Sequence, residues 1–387
     1  MNPQYKNILL INPWYGDVFP PPSLGYLQGA IKAYFKDEVN VTAANFPEVE
    51  ELIKINSYDL VCVTYHSISV KSAVYIRNLI KTKLVCGGHH PSALPNQMLG
   101  IGYDQVVVGQ GENAIIDIIL GEESKIYSET KKYFETINDI PFPDYTGLEV
   151  NGEWGYPIIT SRGCNNKCNF CASTDFWGNK WMSRSADSVV NEIKHVLDLG
   201  AKLWFFEDDN FTLNKRRAKE ICQKIIDEVI PVYGRIGWQC GSRVESLVDV
   251  ELCQLLKLAG CYCVWTGVET LSQDSLDRCE KGTTVEKMIN GAKTASENGM
   301  DVVYQFILGL PGDTENDIRI TSEQLKNSHM HRIATNFAWI LPNTKIYNEA
   351  KKRGFNDNTY LDGGDITYIY EQSLETLTKW KQILLKQ

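Results

Sequence analysis

The sequence has no long apolar run. Residues Met1 to Leu10 are charged and polar residues followed by an apolar stretch too short for a signal peptide or a membrane span, so a cytoplasmic protein with no membrane partner is expected. A Lys/Arg run is missing as well. Acidic side chains number 48 against 39 basic, a formal charge of −9, and a phosphate backbone needs a basic surface. Nucleic acid is therefore excluded as the main partner, and a small-molecule or peptide substrate is expected. No Gly-x-Gly-x-x-Gly follows the first apolar segment, where Asn12-Pro13-Trp14-Tyr15-Gly16 stands instead, which disfavours a plain dinucleotide site. Internal repeats and low-complexity tracts are also absent.

What remains has the makeup of an ordinary globular chain, 43% apolar and 22% charged. Its 387 residues allow two or three domains, of which two is the economical reading. There are eleven cysteines. Without an export signal, a reducing compartment and metal ligation explain them better than disulfides. Cys62, Cys86, Cys222 and Cys240 lie in apolar patterns and read as small buried hydrophobes.

Short apolar runs alternate with helical periodicity along two stretches. In the first, strands are predicted at 8–12, 39–43, 60–65, 84–86 and 105–108, with helices at 24–35, 49–55, 70–80 and after Gly111. Such alternation implies a parallel sheet covered on both faces, with ligands at the carboxyl ends of its strands. Pro141, Pro143, Asp144 and Gly147 then interrupt the pattern. A second series places strands near 157–160, 203–206, 236–239, 263–266, 302–308 and 334–340, with a capping box at Thr283 and Glu286 and a helix end at Gly299. The fold class is α/β: a doubly wound Rossmann-like domain over 1–134, a linker over 135–150, a partial (βα)6 barrel over 151–355 and a short C-terminal extension over 356–387.

After the first strand of the second series comes Cys164-x3-Cys168-x2-Cys171, with Phe170 before the last cysteine. Three thiolates on one loop can bind three irons of a cluster and leave the fourth open. Structural zinc is the alternative, but zinc knots normally supply four ligands, and no fourth Cys or His lies nearby in sequence. In this motif the chain resembles the radical S-adenosylmethionine (SAM) superfamily. The resemblance covers 155–345 and extends to four strand-end segments: 203–212, 238–245, Gly267-Val268-Glu269-Thr270 and Gly309-Leu310-Pro311-Gly312-Asp313-Thr314. It implies a four-iron, four-sulfur cluster held by Cys164, Cys168 and Cys171, SAM as cosubstrate, and an external one-electron reductant of flavodoxin or ferredoxin type. It further implies Glu207 for the SAM ammonium, with Asp208 and Asp209 as rivals, Arg243 for its carboxylate and Glu269 for the ribose. Trp265, Cys263, Tyr304, Gln305, Asn336 and Trp339 are candidates to line the cavity. No side chain is assigned to the chemical step itself.

The first stretch resembles the cobalamin-binding domain that precedes the barrel in one branch of that superfamily. The residues that carry this are 20–27 after the first strand, Gly87-Gly88-His89-His90-Pro91-Ser92 after the fourth and Val108-Gly109-Gln110-Gly111-Glu112 after the fifth. Glycines at strand ends let a flat macrocycle approach the backbone, so Gly87, Gly88, Gly109 and Gly111 are expected to hold cobalamin, with His90 shaping the loop beside the ring. The loop at Asp17-Val18-Phe19 has no histidine to ligate the cobalt from below, and His66 is the one exception to watch. The implied activity is methyl transfer from methylcobalamin to an unactivated carbon or to phosphorus through a 5'-deoxyadenosyl radical. Two alternatives are a non-methylating rearrangement, cyclisation or epimerisation, and a non-catalytic cobalamin or redox sensor.

Overall fold

β-Branched and leucine-rich segments buried on both faces make the first sheet. A computed structural model describes residues 2–14, 20–46, 48–128, 130–148 and 155–386. Its first six strands are β1 (Asn7–Asn12), β2 (Asn40–Asn45), β3 (Leu60–Thr64), β4 (Lys83–Gly87), β5 (Gln105–Val107) and β6 (Ile126–Tyr127). Ile8 to Ile11 are wholly buried, which a strand reaches only when helices cover both sides. All these pairings are parallel, in the order β2-β1-β3-β4-β5-β6. The strand order reverses between β1 and β3. Open α/β sheets bind ligands at such a switch, outside the carboxyl ends.

The second series begins with β7 (Tyr156–Ile158) and a small antiparallel pair, β8 (Ser161–Arg162) and β9 (Met182–Ser183). It continues through β10 (Leu203–Phe206), β11 (Gly237–Arg243), β12 (Cys261–Glu269), β13 (Val302–Leu308) and β14 (Ile333–Phe337). Among the described residues the strands other than β8 and β9 form one six-stranded sheet ordered β14-β13-β12-β11-β10-β7, with parallel pairing from β10 to β14. Helices such as Ala186–Asp198 and Val285–Glu297 separate the strands, each burying one apolar stripe. β7 and β14 are the two edges, so the barrel is open. Trp204, Phe206, Phe211 and Trp238 are buried together against the sheet, with Phe206 and Phe211 stacked at 4.8 Å.

The chain divides into one compact unit of residues 1–157 with 356–365, and a second of 158–355 with 366–387. Two expectations change with that division. The stretch read as a linker packs on the first unit, where Asp144 meets Lys32 at 2.6 Å and Gln28 at 3.2 Å and Tyr145 is buried. The stretch read as one C-terminal extension is shared: Tyr360 packs edge-on against His90 in the first unit, while the helix Leu374–Leu385 belongs to the second. The cap predicted at Thr283 falls one residue later, at Thr284, whose hydroxyl accepts from the Lys287 N–H. The full capping box is at Thr314 and Asp317.

Candidate active site

The cysteine loop leaves β8 through Gly163. Its φ of +84° lies in the left-handed region, and a Cβ there would come within 2.0 Å of the Lys180 carbonyl, so only glycine fits. Cys164, Cys168 and Cys171 are each half-buried, whereas the other eight cysteines are buried. All three open on one cavity of about 410 Å³ above the barrel. The Asn166 amide donates to Cys164 Sγ at 3.0 Å. Burial raises the Cys168 thiol and pushes Cys171 up to about 11, so iron would bind here with release of protons.

Glu207, Arg243 and Glu269 line the same cavity. They stand at or just beyond the carboxyl ends of β10, β11 and β12, where neighbouring parallel strands bring distant residues together. The rivals Asp208 and Asp209 line the cavity too, and both are hydrogen-bonded to the start of the cysteine loop. Asp208 accepts four hydrogen bonds, from the backbone N–H groups of Thr160 (2.7 Å) and Ser161 (3.0 Å) and from their hydroxyls (2.5 and 2.6 Å). Asp209 accepts from the Gly163 N–H at 2.9 Å and from the Ser173 hydroxyl. Both carboxylates thus pin the cysteine loop.

Arg243 donates from Nε to Glu245 at 2.5 Å and from Nη2 to the Lys281 carbonyl at 2.6 Å, and its Nη1 lies 3.9 Å from Cys168 Sγ. Glu269 sits at φ +68° beside a register shift in β12, a bulge that re-aims its side chain. Its carboxylate is 2.5 Å from the Lys281 ammonium. Burial works against the Lys281 charge, but Glu269 and Cys168 together hold it above an ordinary lysine. Sequence reasoning missed Lys281. The signal was faint: one lysine twelve residues beyond Glu269, just after a turn.

Of the other cavity candidates, Trp265 and Gln305 are on the lining. Trp265 donates its indole N–H to Gln239 at 2.8 Å. Tyr304 precedes Gln305 on one strand and so faces the opposite side, into the core, while Cys263 is buried and Asn336 and Trp339 are exposed.

In the first unit Gly87 ends β4 and Gly88 follows at φ +97°, where a Cβ would meet the Tyr65 backbone at 2.8 Å. Gly109 follows β5 with open space where a side chain would be. Gly111 starts the helix Gly111–Ile119, and the Leu27 side chain lies 3.1 Å from where its Cβ would be, so packing accounts for that glycine. His90 departs from expectation. It is fully buried, with Nδ1 3.0 Å from Ser67 Oγ and Nε2 3.2 Å from Gln97 Oε1, so both ring nitrogens serve the core and neither is offered to a ligand. His66, exposed just beyond β3, stacks on His89 at 4.6 Å. The loop at 17–19 lies outside the described residues.

Residues 158–325 match the model of the Radical SAM superfamily. This stretch of the chain is a radical SAM domain. An uncharacterized methyltransferase of Pyrococcus horikoshii is 27% identical over 368 residues, covering 87% of this chain and 79% of that protein. Among solved structures, the radical SAM methyltransferase TsrM of Kitasatospora setae superposes with a TM-score of 0.74 at 20% identity, over 90% of this chain and 77% of that one. The cobalamin-dependent SAM radical enzyme OxsB gives a TM-score of 0.68 at 20% identity, over 99% of this chain and 61% of that one. At these identities the structural likeness is one of fold. Among the described residues, no helix is long and apolar enough to cross a membrane.

Proposed function

We propose that this radical SAM protein is a cobalamin-dependent methyltransferase that modifies an unactivated carbon, or phosphorus, of a small molecule or peptide in the cytoplasm. One observation carries the reading: three half-buried cysteines open on the cavity that also holds Glu207, Arg243 and Glu269. That donor set fits a cluster with one open iron, and the strand-end charges fit the zwitterionic end and ribose of SAM. In the first unit, the switch between β1 and β3 and the open space beside Gly109 fit a flat macrocycle. The relatives' names point the same way.

In this reading Cys164, Cys168 and Cys171 hold three irons, and Asp208 and Asp209 fix their loop. Glu207 takes the SAM ammonium, Arg243 its carboxylate and Glu269 the ribose hydroxyls; Gly87, Gly88 and Gly109 give the cobalamin ring access to the backbone. Bound together, the cofactors supply a hydrogen-abstracting radical and a methyl group. An external low-potential donor of flavodoxin or ferredoxin type supplies the electron.

The test needs no known substrate. Anaerobically reconstituted protein with cob(I)alamin, SAM and a one-electron reductant is expected to release S-adenosylhomocysteine from methyl loading and 5'-deoxyadenosine from reductive cleavage. 5'-Deoxyadenosine alone would replace methylation by the rearrangement, cyclisation or epimerisation class. Neither product from cobalamin-loaded protein would replace it by a sensor.

A further inference from the structure

The pair Lys281 and Glu269 is nearly sealed from solvent, at 4% and 7% exposure, yet both residues line the cavity. Burying a charged pair in a barrel mouth is costly unless its field or its geometry is used. Lys281 sits between two strand-end charges and the cluster loop. Its carbonyl holds Arg243, whose Nη1 lies 3.9 Å from Cys168 Sγ. Its ammonium holds Glu269. Two residues before it, the Cys279 carbonyl accepts from the Asn169 N–H at 3.0 Å, and the Arg278 carbonyl accepts from the Asn169 side chain at 2.8 Å. Asn169 directly follows Cys168, so the turn just before Lys281 is stitched to the ligand loop. Lys281, Glu269, Arg243 and Cys168 all line the one cavity.

We infer that Lys281 is a positioning residue that, balanced by Glu269, sets the positive field at the Cys168 corner of the cluster and thereby eases its one-electron reduction. The inference rests on the reading of the three cysteines as cluster ligands. Reduction adds one electron, from the external donor named above, to a site already carrying three thiolates, and no bond forms or breaks in the protein. A fixed cation nearby favours the more negative product, and in a water-poor cavity its effect is large. Without Lys281 the Glu269 carboxylate would face Cys168 uncompensated.

Redox titration of the reconstituted cluster, followed by electron paramagnetic resonance in the absence of SAM, tests this. Lys281→Met should lower the equilibrium constant for cluster reduction at least tenfold, about 59 mV for one electron. Glu269→Gln should move it the opposite way. The double variant Lys281→Met/Glu269→Gln should return toward the wild-type value, and Lys281→Arg should stay close to it. A packing role would not reverse in the double variant. If Lys281→Met fails to assemble a cluster, Glu269→Gln still decides: a potential unchanged or lowered in it overturns the inference. A normal cluster signal with unshifted potentials overturns this inference alone, whereas no cluster in the wild type overturns the parent reading with it.

Discussion

Arg184 and Glu192 form an ion pair inside the barrel wall, 3% and 0% exposed. Arg184 also donates to the carbonyl of Ile159 at 3.0 Å and to Ser188, and its own carbonyl accepts from Arg217 at 2.8 Å. Arg217 reaches on to the Thr160 carbonyl at 2.6 Å. The pair therefore braces the backbone from which the cysteine loop departs.

Glu192→Ala is expected to leave the Arg184 guanidinium buried without its carboxylate, at a cost on the order of 3–5 kcal/mol. Urea denaturation of the apoprotein would measure it. A loss below about 1 kcal/mol, the worth of an ordinary hydrogen bond, would mean that Ile159 and Ser188 satisfy Arg184 without Glu192.

Changing Cys164, Cys168 or Cys171 to Ala is expected to abolish the iron-sulfur absorbance and SAM cleavage together. Cys240→Ala and Cys261→Ala should keep the cluster, because both thiols are buried away from the cavity. Iron and sulfide analysis of anaerobically purified variants distinguishes the two groups. Zinc without iron-sulfur absorbance in the unaltered protein would sink the cluster assignment.

Arg243→Ala is expected to weaken SAM binding by several kcal/mol, a hundredfold or more in Kd, as the loss of one side of a buried charged pair costs about 3–5 kcal/mol. The same change strips Glu245 of its partner, so stability should fall too. Equilibrium binding on folded, cluster-loaded protein separates the effects. An unchanged Kd would place the carboxylate clamp elsewhere.

Acid should destabilise the protein through His90. Burial lowers its pKa from 6.5 to about 4, with its ring nitrogens on neutral Ser67 and Gln97. The unfolded chain takes up this proton near 6.5 while the folded one stays neutral, so stability present above that pH is lost as pH falls toward 4, about 3 kcal/mol in all. His89, pushed down to about 3, acts in the same direction. Urea midpoints measured downward from neutral pH should fall, and less steeply in His90→Gln. Parallel slopes in the two proteins would assign the acid sensitivity to other groups.

The two strand-helix series, the cysteine loop and the strand-end charges were legible in the amino-acid order alone, because periodicity, turn residues and motif spacing are local. The predicted strand at 302–308 and the helix at 49–55 coincide with Val302–Leu308 and Val49–Ile55. Which charge meets which was settled by the packing of distant segments. Glu207 and Asp208 are adjacent carboxylates on one strand end and both border the cavity, yet Asp208 is tied down by Thr160 and Ser161, 48 and 47 residues back. The bulge before Glu269 and its pairing with Lys281 likewise depend on register, which no local pattern encodes. The return of 356–365 to the first unit does as well. Burial finally separated His90, closed into the core, from His66, left exposed, although both are histidines beside a strand end. Composition and spacing are the same for either fate; the surrounding side chains decide it.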